Sequence, residues 1–180
     1  MTAANKLTLL RVALIPVFLF VLYMDFPAAR WWALGIFVAA CVTDFVDGYI
    51  ARHYHQITNF GKFMDPLADK VLVVAAMCYL VECGQMPGWC LAVVLFREFA
   101  VSGMRLVAVE QGRVIAAGWS GKVKTASTMV CLCIMLVLTE PWVPAPRTLN
   151  LICNAVIVGT TVYSGVEYFA KNLDVFKNSK

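Results

Sequence analysis

Six apolar runs divide the chain, at residues 7–24, 31–51, 66–83, 88–110, 123–140 and 149–170, each close to the roughly 20 residues that carry a helix across a bilayer. They predict six transmembrane helices joined by short polar or proline-marked breaks. Pro27, Pro87 and the Pro141, Pro144, Pro146 cluster fall at three of those breaks, and Pro16 lies inside the first run, where its missing N–H can bend a helix. The helices nearly exhaust the 180 residues. With no low-complexity tract and no internal repeat, residues 1–180 are expected to form a single all-α, integral membrane bundle of six transmembrane helices.

Composition agrees, because 61% of residues are hydrophobic, 14% are charged and the mean hydropathy is +0.76, far from a soluble balance. No small-residue cleavage site follows the first run at Tyr23-Met24-Asp25-Phe26, so it is expected to be a retained helix and not a signal peptide. Charge placement then orients the bundle. Lys6, Arg11, Arg52, Lys62, Arg113, Lys122, Lys124, Lys171, Lys177 and Lys180 fall on one side of a six-helix arrangement, with Arg30 and Arg147 on the other. By the positive-inside rule, both termini and the breaks after the second and fourth helices are expected on the cytoplasmic side, in keeping with a multi-pass protein of a bacterial inner membrane. Trp31, Trp32, Trp89 and Trp142 sit at the opposite boundary, where amphipathic rings anchor at the headgroup level. The seven cysteines show neither a metal-binding spacing nor a disulfide framework and are read as apolar packing residues. No nucleic-acid partner is expected.

One segment breaks the apolar pattern. From Asp44 to Asp69 the chain reads Asp44-x2-Asp47-Gly48-x2-Ala51-Arg52-x8-Gly61-x3-Asp65-x3-Asp69. A carboxylate at the centre of a membrane helix costs about 2.5–3.5 kcal/mol on insertion scales, so four of them in or beside such helices call for cations, protons or a charged ligand. Asp44 and Asp47 are three apart and Asp65 and Asp69 four apart, so each pair shares a helical face. If the second and third helices form an antiparallel hairpin, the faces converge into an oxygen-rich cage suited to Mg²⁺ or Mn²⁺ and not to Zn²⁺. Gly48 and Gly61 open the backbone to a ligand beside the acids, and Arg52 offers a fork that matches phosphate. Together they describe a site for a pyrophosphate or nucleotide bound through metal, with phosphoryl-type transfer as the reaction class. A transporter of divalent cations or protons is the alternative from another class, since intramembrane carboxylates also line ion pathways.

These eight defined positions resemble the signature of the CDP-alcohol phosphatidyltransferases. The resemblance implies transfer of a phosphatidyl group from CDP-diacylglycerol to an alcohol with release of CMP, in a six-helix fold that commonly forms homodimers. It makes Asp44 and Asp65 shared ligands of two metal ions, Asp47 a ligand of one, and Asp69 both ligand and catalytic base. Gly48, Gly61, Arg52 and Thr58 would then hold the CDP part. Asn5-Lys6-Leu7-Thr8-Leu9-Leu10-Arg11 is similar to the family's entry segment beside the nucleotide, which adds Asn5 and Thr8 as CDP-diacylglycerol-binding candidates. A helix cap or contact with lipid headgroups is the other reading of those two.

Downstream cations bear on the acceptor. Arg97 and Arg105 are eight apart, near one helical face, and could direct positive charge at an acceptor's phosphate. The stretches Arg97-Glu98-Phe99-x-Val101-x-Gly103-x-Arg105 and Gly121-Lys122-x-Lys124-Thr125 resemble a branch of the family whose members accept sn-glycerol 3-phosphate. Arg97, Arg105, Lys122 and Lys124 are accordingly the expected glycerol phosphate-binding residues. Serine, inositol phosphate and phosphatidylglycerol are the other acceptors the family chemistry allows. A buried ion pair between Arg97 and Glu98, and headgroup contacts by Lys122 and Lys124, are the structural alternatives.

Overall fold

Long uninterrupted runs of Leu, Val, Ala, Ile and Met satisfy every backbone group internally only as helices, and helices are what the chain forms. The computed structural model describes residues 3–24, 26, 28–53, 59–113, 115–116, 118–137 and 146–173. In order, the elements are α1 (Ala3–Leu22), α2 (Ala29–His53), α3 (Asn59–Glu82), α4 (Gly88–Glu110), α5 (Trp119–Val137) and α6 (Pro146–Lys171), with no strand among the described residues. Two of them, Trp119–Val137 and Arg147–Lys171, are long and apolar enough throughout to cross a membrane, while Val12–Leu22 and Ala29–Thr43 are shorter apolar helical stretches.

The fourth helix ends where the sequence places its ends, because both are punctuated. Pro87 at the N-cap holds φ at −63°. At the other end Gly112 takes φ +73°, its N–H bonds to the Val109 carbonyl at 2.9 Å, and the Arg113 N–H bonds to the Ala108 carbonyl at 2.8 Å. That is the paired closure in which a left-handed glycine satisfies the last free carbonyls of a helix. The third helix departs most from expectation. It starts at Asn59, not at residue 66, because Asn59, Gly61, Lys62 and Asp65 interrupt the apolar residues of its first two turns and an apolar count passes over them. Pro146, expected in a turn, is instead the first residue of α6, a position where its missing N–H costs nothing.

The chain divides into two compact units, Met1–Glu82 and Cys83–Lys180. In the first, α1 packs along both α2 and α3, whereas α2 and α3 meet over a shorter stretch, so the expected hairpin faces are bridged by α1. Phe18, Ala33, Phe37, Ala40, Leu72, Ala76, Met77 and Leu80 are buried there, and the Phe18 and Phe37 rings lie 5.8 Å apart. At the end away from the acidic segment, the Tyr23 hydroxyl donates to Glu82 Oε2 at 2.5 Å, and its ring meets Tyr79 edge-on at 5.5 Å. Phe37→Ala is expected to destabilise by about 3–5 kcal/mol through the cavity it leaves, measured as a lowered melting temperature in detergent. A shift of under one degree would show that Phe37 contributes no packing.

In the second unit α6 lies against both α4 and α5. Cys90, Val94, Val101, Met104, Leu132, Met135, Leu136 and Ile157 are buried. Asn154 Nδ2 donates to the Gln85 carbonyl at 2.9 Å, pinning α6 to the turn before α4. All seven cysteines are free. Cys90, Cys131 and Cys153 are buried as expected of packing residues, but Cys78 and Cys83 are exposed, so that reading does not extend to them.

Candidate active site

Helical register shows what the end of the first unit can assemble. At about 100° per residue, the buried Ala29, Ala33, Phe37 and Ala40 of α2 share an arc of about 100° with Asp44, Asp47, Gly48 and Ala51, and Arg52 falls just beyond its edge. In α3 the buried Leu72, Ala76, Tyr79 and Leu80 likewise share an arc of about 100° with Gly61, Asp65 and Asp69. The Asp positions are therefore in register with the buried residues of each helix. α1 and α2 run antiparallel, being joined by residues 23–28 and packed along their length, so the N-terminus of α1 lies at the same end as the C-terminus of α2. Thr8 extends the buried line of Ile15, Phe18 and Leu22, whereas Asn5 falls roughly 80° off its edge. The connection 54–58 spans at most about 20 Å, which ties the α2 and α3 ends together.

The side chains of Asn5, Thr8, Asp44, Asp47, Arg52, Asp65 and Asp69 lie outside the described residues, as does Thr58 entirely. What the backbone supplies is register: the two Asp pairs, with Gly48 and Gly61, occupy positions in line with the buried residues of α2 and α3. As a donor set, four carboxylates fit a hard divalent cation with oxygen ligands.

The downstream cations are described in full, and they do not form one cluster. Arg97 is part-buried in α4: its Nη1 donates to Glu98 Oε1 at 3.0 Å and its Nη2 to Ser164 Oγ of α6 at 2.6 Å. Lys124 of α5, which is 5% exposed, donates from Nζ to that same Glu98 oxygen at 2.8 Å. The expected ion pair of Arg97 with Glu98 is present, and Lys124 joins it. A glycine makes room for it, since a Cβ at Gly165 would stand 3.3 Å from Arg97 Cγ, closer than ordinary packing. Among the described residues two cations meet at one Glu98 oxygen, and the buried Nε of Arg97 has no hydrogen-bond partner. Arg105 is exposed and belongs to another contact, its Nε donating to the Tyr168 hydroxyl at 3.2 Å with the guanidinium 5.6 Å from the ring centre. Lys122 is also exposed, 5.7 Å over the ring of Trp119. Glu98 and Ser164, which carry the cluster, were missed as site residues. Their signal was present for Glu98, adjacent to Arg97, but absent for Ser164, which stands in no motif.

Known proteins bear on this arrangement directly. The sequence model of the CDP-alcohol phosphatidyltransferase family matches residues 1–163, which takes in the acidic segment and the Arg97–Lys124 cluster. A Bacillus subtilis protein named CDP-diacylglycerol–glycerol-3-phosphate 3-phosphatidyltransferase is 41% identical, over 97% of this chain and 97% of its own. Proteins of the same name from Escherichia coli K12 and Salmonella typhimurium LT2 are each 38% identical, over 91% of this chain and 91% of theirs. The match runs almost end to end and spans the acidic segment, and the chain belongs to the CDP-alcohol phosphatidyltransferase family.

Proposed function

We propose that this protein transfers the phosphatidyl group of CDP-diacylglycerol to sn-glycerol 3-phosphate, giving phosphatidylglycerophosphate and CMP. The observation that carries the reading is the helical register that sets positions 44, 47, 65 and 69 in line with the buried residues of α2 and α3. The acceptor follows from the names of the relatives and is supported by the Arg97 and Lys124 cations gathered on Glu98, which a neutral alcohol would not need.

Asp44, Asp47, Asp65 and Asp69 would hold two Mg²⁺ or Mn²⁺ ions, whose charge offsets that of the pyrophosphate as its bond to CMP breaks. Asn5, Thr8, Gly48, Arg52, Thr58 and Gly61 border the CDP part: the glycines let its phosphates approach the backbone, and Arg52 meets them with its fork. Asp69 takes the proton of the acceptor's primary hydroxyl. The hydroxyl oxygen then bonds to the lipid-side phosphorus in line as the bond from that phosphorus to CMP breaks, and no covalent enzyme intermediate forms. Arg97 and Lys124 anchor the acceptor's phosphate, with Arg105 and Lys122 contributing positive charge nearer the solvent.

The same reading places the chain in a bacterial inner membrane as a single domain over residues 1–180 with six spans, cytoplasmic termini and a cytoplasm-facing site. Supporting it are the two spanning-length helices, the basic residues gathered by the six-helix arrangement on one side, and exposed apolar side chains such as Phe96, Phe99, Leu106 and Leu151. Lipid tails stay in the bilayer while glycerol phosphate arrives from water. A homodimer belongs to the reading as the family's common assembly.

The test is CMP release by the detergent-purified protein given CDP-diacylglycerol and Mg²⁺ or Mn²⁺, with sn-glycerol 3-phosphate, serine, inositol phosphate and phosphatidylglycerol offered separately. Release is expected with glycerol 3-phosphate alone. Release with another acceptor would move the assignment within the family, and metal flux into sealed vesicles without CMP release would replace it with transport.

A further inference from the structure

Glu98 is the centre of the second unit's polar cluster, although no motif reading gives it a task. One of its oxygens, Oε1, receives both the Arg97 guanidinium at 3.0 Å and the Lys124 ammonium at 2.8 Å, so helices α4 and α5 present their cations through a single acceptor atom. The side chains of Arg97, Glu98 and Lys124 are 13%, 19% and 6% exposed. Two like charges so placed would repel, and each would lose hydration without a carboxylate between them. The other side of Arg97 is fixed as well, by Ser164 Oγ at 2.6 Å and by the close approach of Gly165. With Nη1 and Nη2 engaged, Nε remains as a buried donor without a partner. A buried N–H of a charged group left unsatisfied costs more than an ordinary hydrogen bond returns, so an acceptor oxygen brought to it would be bound with a gain.

We propose that Glu98 is a positioning residue for the acceptor: it holds the Arg97 and Lys124 cations side by side, and with Ser164 fixes the guanidinium so that its Nε–H receives an oxygen of a phosphate monoester. This rests on the assignment of a phosphate-bearing acceptor and adds the group that organises its binding. Glu98 touches neither substrate nor the reacting atoms. Its effect is exerted through the two cations, so it belongs in KM for the acceptor and not in the affinity for the CDP-lipid. Charge-assisted hydrogen bonds of this kind govern the expected size of the effect.

Glu98→Gln in the full chain is expected to raise KM for sn-glycerol 3-phosphate at least tenfold while KM for CDP-diacylglycerol stays within twofold, and Glu98→Asp should recover part of the loss. Equal KM values for wild type and Glu98→Gln, or an equal rise for both substrates, would overturn the proposal. So would a lower melting temperature as the variant's sole change. If Glu98→Gln does not fold, Ser164→Ala carries the test, with KM for glycerol phosphate expected to rise about threefold or more; an unchanged value sinks the idea. Binding of inorganic phosphate to the purified protein, followed by ³¹P line broadening, separates this proposal from the acceptor assignment. Phosphate held by wild type and lost in Glu98→Gln upholds the role of Glu98 even if turnover uses a different acceptor, and phosphate binding unaltered by the substitution refutes it.

Discussion

Asp69→Asn is expected to leave the protein helical and able to bind CDP while CMP release falls by about 10³-fold or more. The substitution changes an oxygen for a nitrogen at nearly constant volume, and Asn and Asp have similar helix propensities, so α3 has no reason to unwind. What the amide cannot do is accept the proton of an attacking hydroxyl. Asp69 stands one turn before Leu72, on the inward line of α3, so its position is fixed by a buried stretch that the substitution does not touch. Circular dichroism, CDP binding and CMP release measured on one preparation check all three parts. Turnover near the wild-type rate would remove Asp69 from the role of base, and loss of helicity would make it a structural residue.

Asp44→Ala is expected to abolish metal and CDP binding together, each by about 100-fold or more, because the loss of a ligand exceeds the 10–100-fold typical of a group that merely orients one. The reasoning separates the two kinds of contact at this end of the first unit. Asp44, in the arc of the buried Ala33, Phe37 and Ala40, can reach a nucleotide's phosphates only through a cation, since carboxylate and phosphate repel. Arg52 can reach them directly, so Arg52→Ala should weaken CDP binding with metal affinity kept. Calorimetric titration of Mn²⁺ and then CDP into both variants decides the matter. CDP bound at full strength by Asp44→Ala would mean that the nucleotide is held by the protein without metal.

The sequence made some of this legible for physical reasons that can be named. Six apolar runs gave six helices, and α4 came out with its ends at Gly88 and Glu110 because Pro87 and Gly112 are residues whose backbone preferences stop a helix. The start of α3 was hidden. Asn59 to Asp65 is too polar for an apolar count, although it is helical and carries part of the signature. The acidic segment was readable because four charges in apolar surroundings demand compensation, and the family found is the one its spacing resembles. The downstream cations were readable only as a set of positive charges. That Arg97 and Lys124 share one oxygen of Glu98, while Arg105 leans on Tyr168 and Lys122 on Trp119, depends on how α4, α5 and α6 pack, which no local spacing records. Ser164 could not have been picked out at all, since a serine in an apolar helix carries no mark of the arginine 67 positions away.

The shared line of acids and buried apolar residues also limits how this chain can change length. A single residue inserted between Asp69 and Leu72 would turn Gly61, Asp65 and Asp69 by about 100° relative to Leu72, Ala76 and Leu80, and lift them about 1.5 Å along the axis. The core would still close around the apolar half, so the product would be a stable protein with its carboxylates aimed elsewhere. In this part of the molecule, folding and activity tolerate different kinds of mutation: folding needs only the apolar core, whereas activity also needs a fixed residue count between that core and the Asp positions.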